Sequence, residues 1–217
     1  MKVGLISATK VSLEPIESAF HKESPEIEVF HYLDSSLLPM LKDEGYLSPK
    51  IMKRFIRLID SAVESEVDAI LLTCSAFNDL VEILKPLYQV QIFRSDEAVL
   101  DRALAYDRIG LISTVQETSI VLMNYLKKKD SNASVVPMVD DGLIFYLNRG
   151  MKKEHDERVI EMITEISKKV DVIVLTQFSM EHVADQVNFT IPILTAPRLA
   201  AKRCIDNISE LHKQETS

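Results

Sequence analysis

Two segments of this chain share a pattern and end in different chemistry. Val67-Asp68-Ala69-Ile70-Leu71-Leu72-Thr73-Cys74 returns later as Val170-Asp171-Val172-Ile173-Val174-Leu175-Thr176-Gln177. One copy closes on a thiol, the other on an amide. A thiolate takes a proton, a thiol returns one, and the sulfur can attack as a nucleophile. An amide transfers no proton near neutral pH, but it can hydrogen-bond a carboxylate or a carbonyl. Cys74 precedes a helix predicted to begin near Ser75, where unpaired N–H groups and the helix dipole favour a thiolate. Two readings of Cys74 stand: acid/base or nucleophile, or a small buried hydrophobe. Gln177 is read either as a substrate contact or as a structural amide. Cys204 lies on the apolar face of a helix and is read as core.

A second repeat lies upstream of the first. Lys2-Val3-Gly4-Leu5-Ile6-Ser7 recurs as Arg108-Ile109-Gly110-Leu111-Ile112-Ser113, separated by nearly the same number of residues as the other pair. Parallel sheets bind ligands at the carboxyl ends of their strands. The residues placed there are Ser7-Ala8-Thr9, Cys74-Ser75-Ala76, Ser113-Thr114 and Gln177-Phe178-Ser179. Around Cys74, the expected substrate contacts are therefore Ser7, Thr9, Ser75, Ala76, Thr114, Gln177 and Ser179. Thr9 and Thr114 could also cap helices, which is compatible with lining a site. His182, about a turn past Gln177, is read as a surface or satisfied histidine.

The elements that must position these groups follow from periodicity. Short β-branched runs alternate with stretches of helical period, the pattern of a parallel sheet covered by helices. Strands are predicted near 2–7, 27–32, 68–73, 90–93, 108–113, 134–138, 171–176 and 191–194. Ser48-Pro49 reads as an N-cap followed by proline at the first helical position. After it, Ile51, Phe55, Ile59, Ala62 and Val63 fall on one face. Val159, Met162, Ile163 and Ile166 do the same behind an acidic first turn, Glu154 to Glu157. The closing helix, from Pro197 to about Leu211, is expected to bury Leu199, Ala200, Cys204 and Ile208. The fold class is α/β: two pseudo-symmetric halves, each a parallel sheet flanked by helices, with the site expected in the cleft between them. Residues 1–95 with 196–217 form the first half and 96–195 the second. A helix within Ser95 to Tyr106 joins the halves, which are expected to pack closely.

Composition narrows the function classes. The chain has 217 residues, 47% hydrophobic and 27% charged, as in an ordinary globular protein. Its net charge is −8 with no basic run, so no nucleic-acid partner is expected. No apolar run approaches the ~20 residues of a membrane span, and the N-terminal apolar stretch is too short for a signal peptide. A cytoplasmic location is expected, with no membrane partner. The two cysteines and five histidines show no metal-ligand spacing, and reduced thiols are expected. The five glycines form neither a dinucleotide nor a Walker loop, and no Gly-x-Ser-x-Gly elbow is present.

Ile70-Leu71-Leu72-Thr73-Cys74-Ser75, Ile109-Gly110-Leu111-Ile112-Ser113-Thr114, the segment Val172 to Met180 and the duplicated layout resemble the aspartate/glutamate racemase superfamily, which also holds hydantoin racemases, maleate isomerases and arylmalonate decarboxylase. The resemblance spans nearly the whole chain and implies chemistry without a cofactor. In the superfamily's racemases one cysteine from each half flanks the α-carbon, and Cys74 matches the first of them. Thr114 matches a threonine of the carboxylate-binding loop. Gln177 stands where the second cysteine belongs, and Ser7-Ala8 where glutamate racemases carry Asp-Ser. Gln177-Phe178-Ser179 replaces their cysteine-threonine-histidine run. The family's Thr-x-Gly-Thr reads Thr114-Val115-Gln116-Glu117 here. The expectation is an enzyme acting at the α-carbon of a small carboxylate, an amino acid or dicarboxylate, by one-base chemistry through Cys74. The alternatives are a non-catalytic carboxylate-binding protein and a single-cysteine decarboxylase or isomerase. A homodimer is the partner that the resemblance suggests.

Overall fold

A computed structural model describes residues 1–215, and among the described residues eight strands alternate with helices. The chain divides into two compact units, Met1–Ser95 with the segment from Pro197 onward, and Asp96–Ala196. In the first, β1 (Lys2–Ser7), α1 (Leu13–Glu23), β2 (Glu28–Leu33), α2 (Leu37–Glu44), α3 (Pro49–Glu64), β3 (Ala69–Leu72), α4 (Asp79–Leu84) and β4 (Gln91–Arg94) follow in order. The second holds α5 (Glu97–Ala103), β5 (Arg108–Ser113), α6 (Gln116–Lys129), β6 (Ser134–Val139), α7 (Ile144–Asn148), α8 (Lys152–Ile166), β7 (Val172–Leu175), α9 (Glu181–Ala184) and β8 (Ile193–Thr195). The last helix, α10 (Pro197–Glu215), packs on α1 and β3 of the first unit.

Each unit is built on one four-stranded sheet, ordered β2-β1-β3-β4 in the first and β6-β5-β7-β8 in the second. Every pairing is parallel, and the registers correspond: Ile6 lies opposite Leu72, and Ile112 opposite Leu175. Residues 69–72 and 172–175 are buried throughout, as befits strands covered on both faces. All eight strands lie within two residues of the sequence reading, because continuous β-branched runs carry a strong signal over a short length.

The helices follow their local signals, with departures. The Ser48 hydroxyl accepts the Ile51 N–H at 3.3 Å, and Pro49 opens α3. Ile51, Phe55, Ile59 and Ala62 are buried, with the Phe55 ring 4.7 Å from that of Phe77. Val63 was expected on this face but is 40% exposed, since it sits one position past the stripe. In α8, Val159, Met162, Ile163 and Ile166 are fully buried. Its acidic start holds, with Glu154 and Glu157 exposed, but Asp156 between them is buried among basic partners. In α10, Ala200, Cys204 and Ile208 are buried, whereas Leu199 is only half-buried. Burial pushes the Cys204 thiol well above its ordinary range, consistent with a core role.

Gly4 and Gly110 occupy equivalent mid-strand positions. A methyl group at Gly4 would lie 3.1 Å from the Ala62 Cβ of α3, and one at Gly110 would lie 2.9 Å from the Ile166 Cδ1 of α8. In each unit the absent side chain lets the preceding-crossover helix seat closely on the sheet.

Candidate functional site

The strand order makes β1 and β3, and likewise β5 and β7, the neighbours whose onward connections run in opposite directions. Such a switch point leaves a crevice at the carboxyl ends of the two strands. Its base is the same in both units. The Thr73 N–H donates to Ile6 O at 3.0 Å and the Thr176 N–H to Ile112 O at 3.1 Å. Ser7 Oγ lies 2.8 Å from Thr73 Oγ1, and Ser113 Oγ lies 3.0 Å from Thr176 Oγ1. These four hydroxyl side chains are buried, so in this structure Ser7 ties two strand ends together. The next residue on each strand carries the difference: Ala8 and Cys74 in the first unit, Thr114 and Gln177 in the second.

In the first unit Cys74 has extended backbone and is half-buried, while Ser75 and Ala76 behind it are buried. Neither cysteine is in a disulfide. The helix expected at Ser75 is one 3-10 turn, Ser75–Phe77, leading into the six-residue α4. So short an element supplies less aligned peptide dipole than the expectation assumed. Thr9 makes no side-chain cap; its carbonyl instead accepts the Ser12 hydroxyl at 3.1 Å. Sequence reasoning missed Arg94, which ends β4 with its side chain 3% exposed and donates to Asp79 at 3.3 Å. Nothing local marks a lone arginine at a strand end as buried.

In the second unit Gln177 is oriented by two donors. The Thr114 N–H reaches its Oε1 at 3.1 Å and the Thr176 hydroxyl reaches the same oxygen at 3.0 Å. A backbone N–H can only donate, so the amide oxygen faces Thr114 and the NH₂ is turned away. That Nε2 is buried and has no hydrogen-bond partner among the described residues, as are Thr114 Oγ1 and Ser179 Oγ. Thr114 therefore does not cap α6. Buried polar atoms without partners are rare in folded proteins. Three of them, each able to donate, lie on the two segments that follow β5 and β7 at one switch point.

Beside this loop stands a second polar cluster. Asp156 accepts from His155 Nδ1 at 2.9 Å, from His182 Nε2 at 2.8 Å and from the Lys152 ammonium. Burial would raise the Asp156 pKa, but these three donors outweigh it and hold the carboxyl at about 2. Burial lowers the pKa of His155, which is fully enclosed. An ionised carboxylate only accepts, so both imidazoles present N–H to it and the buried His155 Nε2 is left as an unpartnered acceptor. His182 is thus a satisfied histidine, as expected, and it ties α9 to α8. A sequence signal for His155 existed: it lies one helical turn before Val159, on the buried stripe.

Comparison with known proteins agrees with this architecture. A glutamate racemase isoform from Bacillus anthracis superposes with a TM-score of 0.76 at 13% identity, covering 96% of this chain and 81% of that one. The aspartate racemase of Picrophilus torridus gives 0.75 at 16% identity, covering 96% and 94%. The allantoin racemase of Klebsiella pneumoniae gives 0.70 at 16% identity, covering 96% and 88%. At such identities the likeness is one of fold. No curated protein matches the chain in sequence. The sequence pattern of the Asp/Glu/Hydantoin racemase family, in contrast, matches residues 8–204, nearly the whole of both units. On that match, and with the paired switch points it spans, the chain belongs to the Asp/Glu/Hydantoin racemase family.

Proposed function

We propose that this chain is a cofactor-independent racemase-type enzyme that moves a proton at the α-carbon of a small carboxylate, with Cys74 as the acid/base group. The observation that carries this reading is the set of unpartnered buried donors, Thr114 Oγ1, Gln177 Nε2 and Ser179 Oγ, on the strand-end loops of the second unit. Removing an α-proton shifts negative charge onto the substrate carboxylate. Neutral donors already fixed in place strengthen as that charge develops, without reorganising. Cys74 is the half-buried thiol at the equivalent position of the first unit, followed by the buried Ser75 and Ala76. Gln177 can hold an oxygen but cannot return a proton to carbon. The chemistry is therefore one-base: the thiol that removes the proton replaces it on the same face.

The test is α-proton exchange followed by NMR in deuterated water, over small amino, hydroxy and dicarboxylic acids. Wild type should incorporate deuterium into its substrate with optical purity retained. Cys74→Ser should lower the rate at least about a hundredfold, the usual scale for a proton-transfer group. Exchange that survives in Cys74→Ser would overturn the assignment. Binding without exchange would favour a carboxylate-binding protein, for which a ligand at 100 times its Kd raises stability by about 2.7 kcal/mol.

A further inference from the structure

We infer that a second copy of this chain docks on the exposed face of α3 by laying its own α8 against it, the two helices running in the same direction. The helices hold equivalent places in their units. Ala62 of α3 packs by Gly4, and Ile166 of α8 by Gly110. Each helix also carries an arginine whose Nε donates to the aspartate just after the unit's second strand: Arg54 to Asp34 at 2.6 Å, and Arg158 to Asp140 at 2.7 Å. Matching these anchors pairs exposed residues of opposite charge. Lys50 corresponds to Glu154, Lys53 to Glu157, Arg57 to Glu161, and Glu64 to Lys168 just past the end of α8. At helical spacing each set falls on one face.

The cations of α3 do not serve the helix itself. Its first turn holds Lys50 and no acidic residue, the reverse of what the helix dipole favours. Lys50, Lys53 and Arg57 have no ion pair among the described residues, and with Arg54 they line one surface hollow. On α8, Glu157 and Glu161 meet Lys153 at 3.7 Å and Arg158 at 3.0 Å, exposed contacts along their own helix. Such pairs are worth little and leave the charge open to a partner. A nucleic acid would suit α3 but would meet a chain of net charge −8, and it would leave α8 without a counterpart. A second copy supplies both faces with one spacing. Only parallel helices bring all four pairs together; in the antiparallel arrangement Lys50 would meet Lys168, and Glu64 would meet Glu154.

Sedimentation velocity on the full chain tests the docking. Wild type should self-associate, with a dissociation constant that rises at least about tenfold between about 0.05 M and 0.5 M salt as charges are screened. The triple variant Lys50→Glu/Lys53→Glu/Arg57→Glu carries two acidic faces, and Glu154→Lys/Glu157→Lys/Glu161→Lys carries two basic ones. Each alone should sediment as a monomer. Mixed together, they should recover association of wild-type strength, because each offers the face that the other lacks. A variant that had merely misfolded could not be rescued in this way. Should a triple variant fail to fold, Lys53→Glu and Glu157→Lys are tested alone and mixed in the same manner. Wild type that stays monomeric at low salt, self-association retained in either variant, or no recovery on mixing would each overturn the inference. Monomeric wild type held on heparin through Lys50, Lys53 and Arg57 would overturn it in favour of a polyanion at α3.

Discussion

Gln177 turns on the orientation of a single amide. Its oxygen is taken by the Thr114 N–H and the Thr176 hydroxyl, so only the NH₂ end remains to meet a ligand. Gln177→Glu tests this directly. A carboxylate keeps an acceptor for both donors, so the fold should survive, with thermal unfolding close to wild type. The variant also replaces the NH₂ donors with negative charge, and carboxylate binding by calorimetry should weaken by about 1–3 kcal/mol, the scale of a lost hydrogen bond to a charged group. A variant that binds as tightly as wild type would count against Gln177 as a contact in the proposed site. The positions of Cys74, Thr114, Gln177 and Ser179 were legible in the sequence, because each follows a strand visible as an apolar run. Which atoms have partners was not. Ser7 reads like Thr114 in sequence, yet its hydroxyl lies 2.8 Å from that of Thr73, whereas the Thr114 hydroxyl has no partner among the described residues.

Among the elements, the seating of α3 and α8 on their sheets depends on a glycine at the strand centre. Gly4→Ala sets a methyl group against Ala62 Cβ, an atom fixed to the helix backbone, so α3 must move. Overpacking of this kind costs about 1–3 kcal/mol, measurable by urea unfolding. Gly110→Ala meets Ile166 Cδ1, the far end of a flexible side chain. There the cost should fall when Ile166→Val is added, giving a double variant more stable than the sum of the two single changes predicts. The link between α8 and α9 belongs to the same scale. Asp156 gathers Lys152, His155 and His182, and Asp156→Asn should destabilise the fold by about 1–3 kcal/mol by weakening three donors' partner at once. Periodicity located α3 and α8 correctly but said nothing of this link, which joins side chains distant in sequence through a non-repeating contact.

The whole molecule's response to acid follows from the same cluster. Burial lowers the pKa of His155 below 6.5, so the unfolded chain takes up a proton there before the folded one does. Stability should begin to fall as pH drops through about 6.5 and level off below the folded value. Asp156 works at lower pH, being held at about 2 against an ordinary 3.8. Its contribution is complete above about 3.8 and is lost as pH falls towards 2. Denaturant midpoints at about pH 7.5 and pH 5.5 should therefore differ in wild type and converge in His155→Gln. An undiminished difference in that variant would place the acid sensitivity elsewhere. At this scale the two units share sheet order and register, while their paired positions have diverged: a thiol against an amide at Cys74 and Gln177, and a buried cation against a hydroxyl at Arg94 and Thr195.

Local sequence determined the strands, the starts of α3 and α10, the duplication and the residues that end each strand. These depend on burial pattern, backbone preference and capping, which act over a few neighbours. Tertiary structure alone decided the partners of side chains far apart in the chain. It buried Arg94 and Asp156, consumed the Ser7 hydroxyl, and left Thr114, Glu117, Gln177 and Ser179 with unmet hydrogen-bonding atoms. Hydrogen-bond satisfaction depends on angles and distances of a few ångströms between strands separated by sixty or more residues, and no spacing rule along the chain encodes it.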